Sequence, residues 1–428
     1  MINIRSNIKI FEKDEMCEKW RILMRLLYSE IKKAMCKRST YFYTMIAMTI
    51  SVFMTWYCIS SAGTDLLNSD GTVTILKGHK AIPIQKQAES VLSGQVTEDK
   101  LEEVLKIYQR QYDKTSNTLV YDKDVINSQK LFGLFSEINN KYMKFNEKTY
   151  ASPDEMPDKL AFDYYKIRSE KIGKMIDASY SDKGRNQKAK KMNASVEIPF
   201  SYYEGYSFWG KAFEHYCVLQ IIILVIAAFF AAPIFSEHYH NGGDIIFRTT
   251  MYGRKSLAIC RIAAAELYGI LLFVFSTVLF FGICGYYFGI KGLQSSIQMM
   301  TVYAISNITF GQALVFVIAG GMVSMVSTIS AIIFISVKMK EPVGAEIVSI
   351  VFIVGWKAAS LFFGSAATEI VFSSFPMSGT EIIYYLTSLN IYRLFKINIW
   401  EPYWTIWIGI LMSMILFFFS IRVYIRKK

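Results

Sequence analysis

Residues able to bind a metal ion lie close together in one short polar segment of this chain. Glu237, His238, His240 and Asp244 fall within eight residues, and carboxylate and imidazole groups are common zinc ligands. On a helix, however, residues two positions apart point in different directions, so His238 and His240 do not face one ion. The sequence also lacks the pattern His-Glu-x-x-His. We therefore predict no metal site, and with four histidines in total we expect no catalytic centre.

Two other fragments have some of the residues of nucleotide-binding loops. The stretch from Gly205 to Ala212 contains Gly-Lys, but a P-loop needs Ser or Thr directly after the lysine to hold Mg²⁺. Ala212 stands there and has no hydroxyl group. The sequence Leu-Ser-Gly-Gln at 92–95 matches part of an ATPase signature by chance. We expect neither a nucleotide site nor a cofactor in this chain.

Three charged residues stand inside long apolar runs, where a charge costs roughly 2.5–3.5 kcal/mol at the bilayer centre. They are Glu266, Glu346 and Lys357. Charges in such positions face protein, water or the nearest interface. We expect Lys357 to extend toward the outer interface, with a place on a transport path as the alternative. Glu266 and Glu346 are predicted to reach headgroups or basic partners near the inner face.

Six apolar segments must position these residues. Each is close to the length that crosses a hydrocarbon core roughly 30 Å thick, and aromatic or basic residues flank it. The sequence therefore predicts an all-α polytopic membrane protein with six transmembrane helices. The predicted spans are 41–60, 216–235, 262–289, 312–337, 343–363 and 405–421.

The distribution of basic residues predicts how the chain is oriented. Of the 47 Lys and Arg residues, ten precede the first span. The predicted inner segments together hold twenty, and the short outer loops hold three. Because basic residues favour the cytoplasmic side, we expect a multi-pass protein of the cytoplasmic membrane with both termini in the cytoplasm. The ten basic residues before the first span thus form a collar facing membrane lipid, and the segment between the first and second spans has a surface of mixed charge. Although the net charge is +12, we therefore expect no nucleic-acid binding.

The polar parts of the chain predict three further units. Residues 1–40 form a cytoplasmic segment, in which 18–38 have the pattern of a basic amphipathic helix on the membrane surface. The alternative is a solvated helix that packs on a partner. Residues 61–215 are long enough for a core of their own and predict a mostly helical extracytoplasmic domain. Residues 216–428 form a five-span transmembrane domain.

Within residues 61–215, local sequence patterns predict some of the secondary structure. Thr97 is a typical N-cap, followed by acidic residues and by an apolar face that includes Leu101 and Tyr108. Further helices are predicted at about 128–145 and 159–176. The basic run 183–191 is predicted to be an exposed loop. Between the fifth and sixth spans, apolar triplets predict short helices in or dipping into the outer interface.

Residues 232–255, between the second and third spans, are too polar for lipid and too few for a domain. The pattern predicts a short helix that begins at Glu237, a break at Gly242-Gly243 and an amphipathic stretch after it. This segment resembles the coupling-helix region of the type-2 ABC exporter permeases. The matching elements are Phe235-Ser236-Glu237, Asn241-Gly242, Ile245 to Thr250 and Gly253-Arg254-Lys255. The stretch from His240 to Gly243 departs from the family pattern because it is richer in glycine and histidine.

The order of parts also resembles bacterial members of that family, which carry a large extracytoplasmic domain between the first and second spans. The resemblance implies a cytoplasmic coupling element at 236–256 that docks on an ABC ATPase subunit. ATP and Mg²⁺ would then be bound by that partner chain, and a second permease copy or a sister permease would complete the transporter. The residues implied in coupling are Glu237, Asp244, Ile245, Ile246, Phe247, Arg248, Gly253 and Arg254.

We therefore expect the permease subunit of an ATP-driven ABC exporter, without enzymatic activity of its own. It would translocate an amphipathic substrate, such as a peptide, an antimicrobial or a lipid-like compound, by alternating access. One alternative is a non-transporting membrane receptor or scaffold with a large outer domain. Another is an integral-membrane enzyme, which should show convergent polar residues at one depth of the spans.

Overall fold

The computed structural model describes residues 21–139, 150, 152–243, 249, 254–363 and 366–426. Six of its helices are long and apolar enough to cross a membrane, which confirms the number of predicted spans. The helices extend beyond most of the predicted bounds. The largest difference is in the second span, whose helix begins at Tyr206 rather than at 216. Its first turns lie outside the apolar run, so hydropathy alone places the start too late.

Before the first span, residues 21–35 form a helix, α1, and the chain turns at Cys36-Lys37 into the first span, α2 (Arg38–Ser60). The side chain of Thr40 stabilises this turn, since its hydroxyl donates to the carbonyl oxygen of Ala34 at 2.6 Å. The predicted amphipathic helix of residues 18–38 is therefore helical over 21–35 and ends at the turn of residues 36–37, and residues 18–20 lie outside the described residues.

Between the first and second spans lies a unit that we call the polar domain (residues 61–205). Its described residues, which leave out 140–149 and 151, form six α-helices and three two-stranded antiparallel sheets. The strand pairs are β1–β2, β3–β6 and β4–β5. The prediction of a mostly helical domain did not include these strands, because strands of two to five residues are too short to show a period in the sequence. The elements are β1 (Gly63–Leu67), β2 (Val73–Lys77), α3 (Ala81–Val91), β3 (Gly94–Val96), α4 (Glu98–Gln111), β4 (Tyr112–Asp113), β5 (Thr118–Leu119), α5 (Lys123–Ile138), α6 (Lys159–Phe162), α7 (Tyr164–Ser179), α8 (Lys183–Ala194) and β6 (Phe200–Tyr202).

Side-chain caps set several helix starts in the polar domain. The predicted cap of α4 is confirmed, because the Thr97 hydroxyl accepts from the backbone N–H of Lys100. The prediction of an exposed loop at 183–191 is wrong, since this run forms most of α8. Asp182 caps that helix by accepting from the N–H of Gly184 at 3.0 Å. The prediction failed because the high charge of this run suggested an exposed loop, although lysine has a favourable helix propensity.

The second span continues into a short helix, and the remaining spans follow. The fourth span begins with a capping box formed by Thr309 and Gln312. The fifth span and the short helix α10 begin with Pro342 and Pro233, a position that proline favours. The elements are α9 (Tyr206–Ala231), α10 (Pro233–His240), α11 (Lys255–Phe288), α12 (Phe310–Lys338), α13 (Pro342–Phe362), α14 (Ala366–Ser373), α15 (Ile382–Thr387), β7 (Ile391–Leu394), β8 (Ile397–Trp400) and α16 (Glu401–Arg426).

The segment between α13 and α16 enters the helix bundle. The hydroxyl of Ser327 donates to the carbonyl oxygen of Pro376, and Gly379 lies against the backbone of Gly320 so closely that neither has room for a side chain. Ser327 is 17 residues into α12, roughly 25 Å along its axis. The short helices α14 and α15 thus flank a turn that reaches deeper than the interfacial position predicted from the sequence.

Buried polar side chains fasten the polar domain to the bundle. The guanidinium of Arg168 on α7 donates to the carbonyl oxygens of Val302 and Ala304, both at 2.8 Å, and to Asn193 at 3.1 Å. Burial lowers the pKa of Arg168 to about 10, so the group stays charged at neutral pH. Nearby, a carboxylate oxygen of Glu137 accepts from the N–H of Val302 at 2.8 Å.

A second buried carboxylate joins the polar domain to the start of α9. Glu89 on α3 accepts from the backbone N–H of Gly205 and the hydroxyl of Ser207, both at 2.6 Å, and from Gln85 at 3.0 Å. Gly205 has a φ of +90°, which favours glycine, and this conformation ends the connection from β6. We call these contacts, made by Arg168, Glu137 and Glu89, the polar-domain joint.

Candidate functional site

The helix α10 extends the second span away from the polar domain. Ala232 keeps helical dihedral angles and is the one residue between α9 and α10, so the two helices follow one another almost without a break. The sequence predicted that α10 begins at Glu237, but in the structure it begins at Pro233 and ends at His240. Gly242 has a φ of +67°, a conformation that suits glycine after a helix, which agrees with the predicted break.

Buried contacts hold α10 against the ends of two spans. The hydroxyl of Ser336 on α12 accepts from the backbone N–H groups of Phe235 at 3.1 Å and Ser236 at 3.3 Å. The Phe235 ring lies 5.1 Å from the ring of Tyr424, which is near the end of α16. The Arg261 guanidinium lies 5.8 Å from the centre of the Phe235 ring. The described end of the sixth span therefore lies beside α10.

An ion pair and a histidine–carboxylate contact connect α10 to neighbouring turns. Lys37 Nζ lies 2.7 Å from Glu237 Oε2, and both side chains are substantially exposed, at 51% and 39%. His240 Nδ1 lies 3.0 Å from Glu341, just before α13. These pairs form at the end of the bundle opposite the polar domain, which we call the far end. Both the turn before the first span and the end of the last span lie there.

A buried ion pair attaches α1 to the third span. Arg261 on α11 is 1% exposed, and its Nε lies 3.3 Å from Glu30 Oε2, while Lys33 lies 3.1 Å from the other carboxylate oxygen. The sequence marked Arg261 as the basic residue at the start of the third span. It gave no sign of Glu30 as the partner, because the two residues are 231 positions apart.

A cavity of about 620 Å³ opens between α1, α2, the α9–α10 region, α11 and α13. Charged groups from α1, α10, α11 and α13 line it together with aromatic rings from α2 and α9. Glu237 is one of the lining residues, so the cavity lies directly beside the segment that the sequence marked for coupling.

The structure locates only part of the predicted coupling set. Glu237 lies on α10 at the far end, and Arg254 is exposed immediately before α11. The remaining six lie outside the described residues: Asp244, Ile245, Ile246, Phe247, Arg248 and Gly253.

The three charged residues of the spans lie in separate places. A carboxylate oxygen of Glu266 accepts from the hydroxyl of Ser330 on the fourth span at 2.8 Å, which is a neutral partner and not a headgroup or a base. Glu346 lines the far-end cavity. Lys357 forms an ion pair with Glu381, at the end of the inserted turn, a carboxylate partner that the sequence did not predict. They do not form one site.

Within the described ranges, no group of three or more His, Cys, Asp or Glu side chains is arranged to hold a metal ion. Comparisons of this chain with protein-family models, with curated proteins and with solved structures find no match.

Proposed function

We propose that this chain is the membrane-spanning subunit of an ATP-driven exporter of the type-2 ABC permease kind, working with a separate ATPase. The observation that carries the proposal is α10, a short helix that continues a span and carries the exposed carboxylate of Glu237 at the far end. A soluble motor needs such an accessible element joined rigidly to a membrane helix.

The charge distribution supports a cytoplasmic far end. The turn before the first span, the start of the third span and the end of the last span bring basic residues to this end, as the positive-inside rule favours for the cytoplasmic face. The polar domain would then be extracytoplasmic. The segment 236–256 would meet the ATPase, with polar contacts from Glu237, Asp244, Arg248 and Arg254, and apolar contacts from Ile245, Ile246 and Phe247.

In this proposal, a second permease copy or a sister permease pairs with this chain, and two ATPase subunits close on binding ATP. Their movement displaces the coupling segment, and the attached spans rock to expose an amphipathic substrate to the outside. The chain supplies no chemical step; ATP and Mg²⁺ remain in the partner subunits.

Co-expression with a candidate ABC ATPase subunit tests the proposal. We expect the two chains to co-purify, and Glu237→Ala and Phe247→Ala to weaken the complex about tenfold or to lower its ATPase turnover, because central contacts dominate interface energies. Glu214→Ala is the matched control, since it removes an exposed glutamate from the opposite end of the same span.

A stable complex with normal turnover in both variants would remove the coupling role from this segment. If no ATPase binds at all, the chain is instead a membrane receptor or scaffold. In that case we expect Glu237→Ala to leave the receptor or scaffold function unchanged.

A further inference from the structure

The far-end cavity combines two kinds of wall. Tyr43, Phe229 and Phe230 bring aromatic rings from the first and second spans, whereas α1, α10 and the start of α13 bring charged groups. Its volume, about 620 Å³, lies within the range of pockets that hold small organic ligands. A cavity of this composition suits a molecule with one apolar part and one charged part.

The charges in the cavity decide which sign that charged part should have. Glu30 is already paired with Arg261 and Lys33, and Lys37 is paired with Glu237. Glu346 differs from them, because within the part of the chain that the structure describes its carboxylate makes no hydrogen bond or ion pair. It is half-buried on α13, about one turn after the span begins, and it faces the cavity as a negative charge that no described side chain neutralises.

We propose that this cavity binds a cationic amphiphile, with its ammonium group on the carboxylate of Glu346 and its apolar body against Tyr43, Phe229 and Phe230. A charge-assisted hydrogen bond to Glu346 would give the carboxylate its missing partner. The neighbouring aromatic faces attract a cation as well. An anionic headgroup would instead meet the unpaired carboxylate, and the nearby cations are already engaged with glutamates.

If the cavity is where the exporter takes up its substrate, that substrate is an amine-bearing amphiphile taken from the membrane. This transport role rests on the proposed function, but binding of the amphiphile to the cavity does not. The cavity shares Glu237 with the coupling segment. A bound ligand therefore lies beside the element that the ATPase would move.

The experiment measures binding of radiolabelled dodecylamine to the full chain in nanodiscs of zwitterionic lipid, with empty nanodiscs as background. Dodecanoate and dodecanol are the matched probes, since they keep the chain length and change only the headgroup. We expect saturable binding of the amine alone. Glu346→Gln should weaken it about tenfold or more, because the ion pair is lost. Glu341→Gln, an exposed carboxylate that pairs with His240, should leave binding unchanged.

A charge-reversing variant guards against an unfolded protein as the cause of lost binding. Glu346→Lys should reject dodecylamine and gain binding of dodecanoate. Equal binding of amine and carboxylate by the wild-type protein, or full amine binding by Glu346→Gln, would overturn the proposal. The assay contains no ATPase, so failure to bind the amine leaves the exporter proposal standing, and failure of ATPase coupling leaves the binding site standing.

Discussion

The polar-domain joint and the ion pair of Lys37 with Glu237 connect distant parts of the chain in different ways. In the polar-domain joint, Arg168 and Glu89 are 3% and 1% exposed, and each makes three hydrogen bonds. At the far end, Lys37 and Glu237 make one salt bridge in contact with solvent. The same types of side chain thus form a desolvated network at one end and an exposed pair at the other.

This difference bears on where the molecule can move. A buried polar group that loses its partner has no water to replace it, so opening the polar-domain joint carries the full desolvation cost. An exposed pair exchanges its partner for water at a cost of only about 0–1 kcal/mol. The polar domain and the bundle are therefore held as one unit, while α10 is free to change its contact with the turn before the first span.

The largest effect is expected from Arg168→Met, which keeps much of the volume and removes the donors. The carbonyl group of Val302 would stay buried without a partner, at a cost of roughly 1–3 kcal/mol, and that of Ala304 would keep only its hydrogen bond from the Gln298 amide. We expect a clearly lower apparent Tm of the purified protein, measured by thermal unfolding in detergent. Lys166→Met on the same helix is exposed and serves as control. Equal Tm values for the two variants would show that the joint is not rigid.

An intermediate effect should come from pH, through Glu137. Burial raises the pKa of this carboxyl above its usual 4.5 in the folded protein. The folded state then keeps its proton while the unfolded chain releases it, so stability falls as pH rises from the ordinary glutamate pKa through the folded one. The Tm of the wild type, measured from pH 4 upward, should fall in this window relative to Glu137→Gln. Parallel pH profiles would contradict the assignment.

The smallest effect is expected at the far end. Lys37→Ala, Glu237→Ala and the double variant form a cycle that measures the coupling energy of the ion pair, which should be about 0.2–1 kcal/mol. High salt should reduce it, since the pair is exposed. A coupling energy above about 2 kcal/mol in the thermal unfolding of these variants would mean that the Lys37–Glu237 pair stabilises the fold as strongly as a buried contact does. That result would contradict the difference between this pair and the polar-domain joint.

The parts of the structure that the sequence predicted are those with a local signal. Six apolar runs predicted six spans, Thr97 predicted the start of α4, and Gly242 predicted the end of α10. Hydropathy, capping and glycine conformation each act over a few residues. For this reason they can be read from one stretch of sequence.

The contacts that join the elements have no such signal. Two of the acceptors of Arg168 are backbone carbonyl groups more than 130 positions away, and any residue type supplies a carbonyl. The partner of Arg261 is chosen by the docking of α1, and the partner of Lys357 by the turn inserted into the bundle. Glu346 was noticed as a charge in a span, but its cavity requires five separate elements to meet.

The near-continuity of α9 and α10 makes one strut of 35 residues from Tyr206 to His240, about 52 Å long. Glu89 holds the start of this strut through hydrogen bonds, and Glu237 lies near its other end. Pro233 removes only one backbone donor from this length. In the proposed exporter, a sideways push of a few ångströms by the ATPase at Glu237 would tilt this helix. Because its other end is tied to Glu89, the tilt would reach the polar domain directly through the helix.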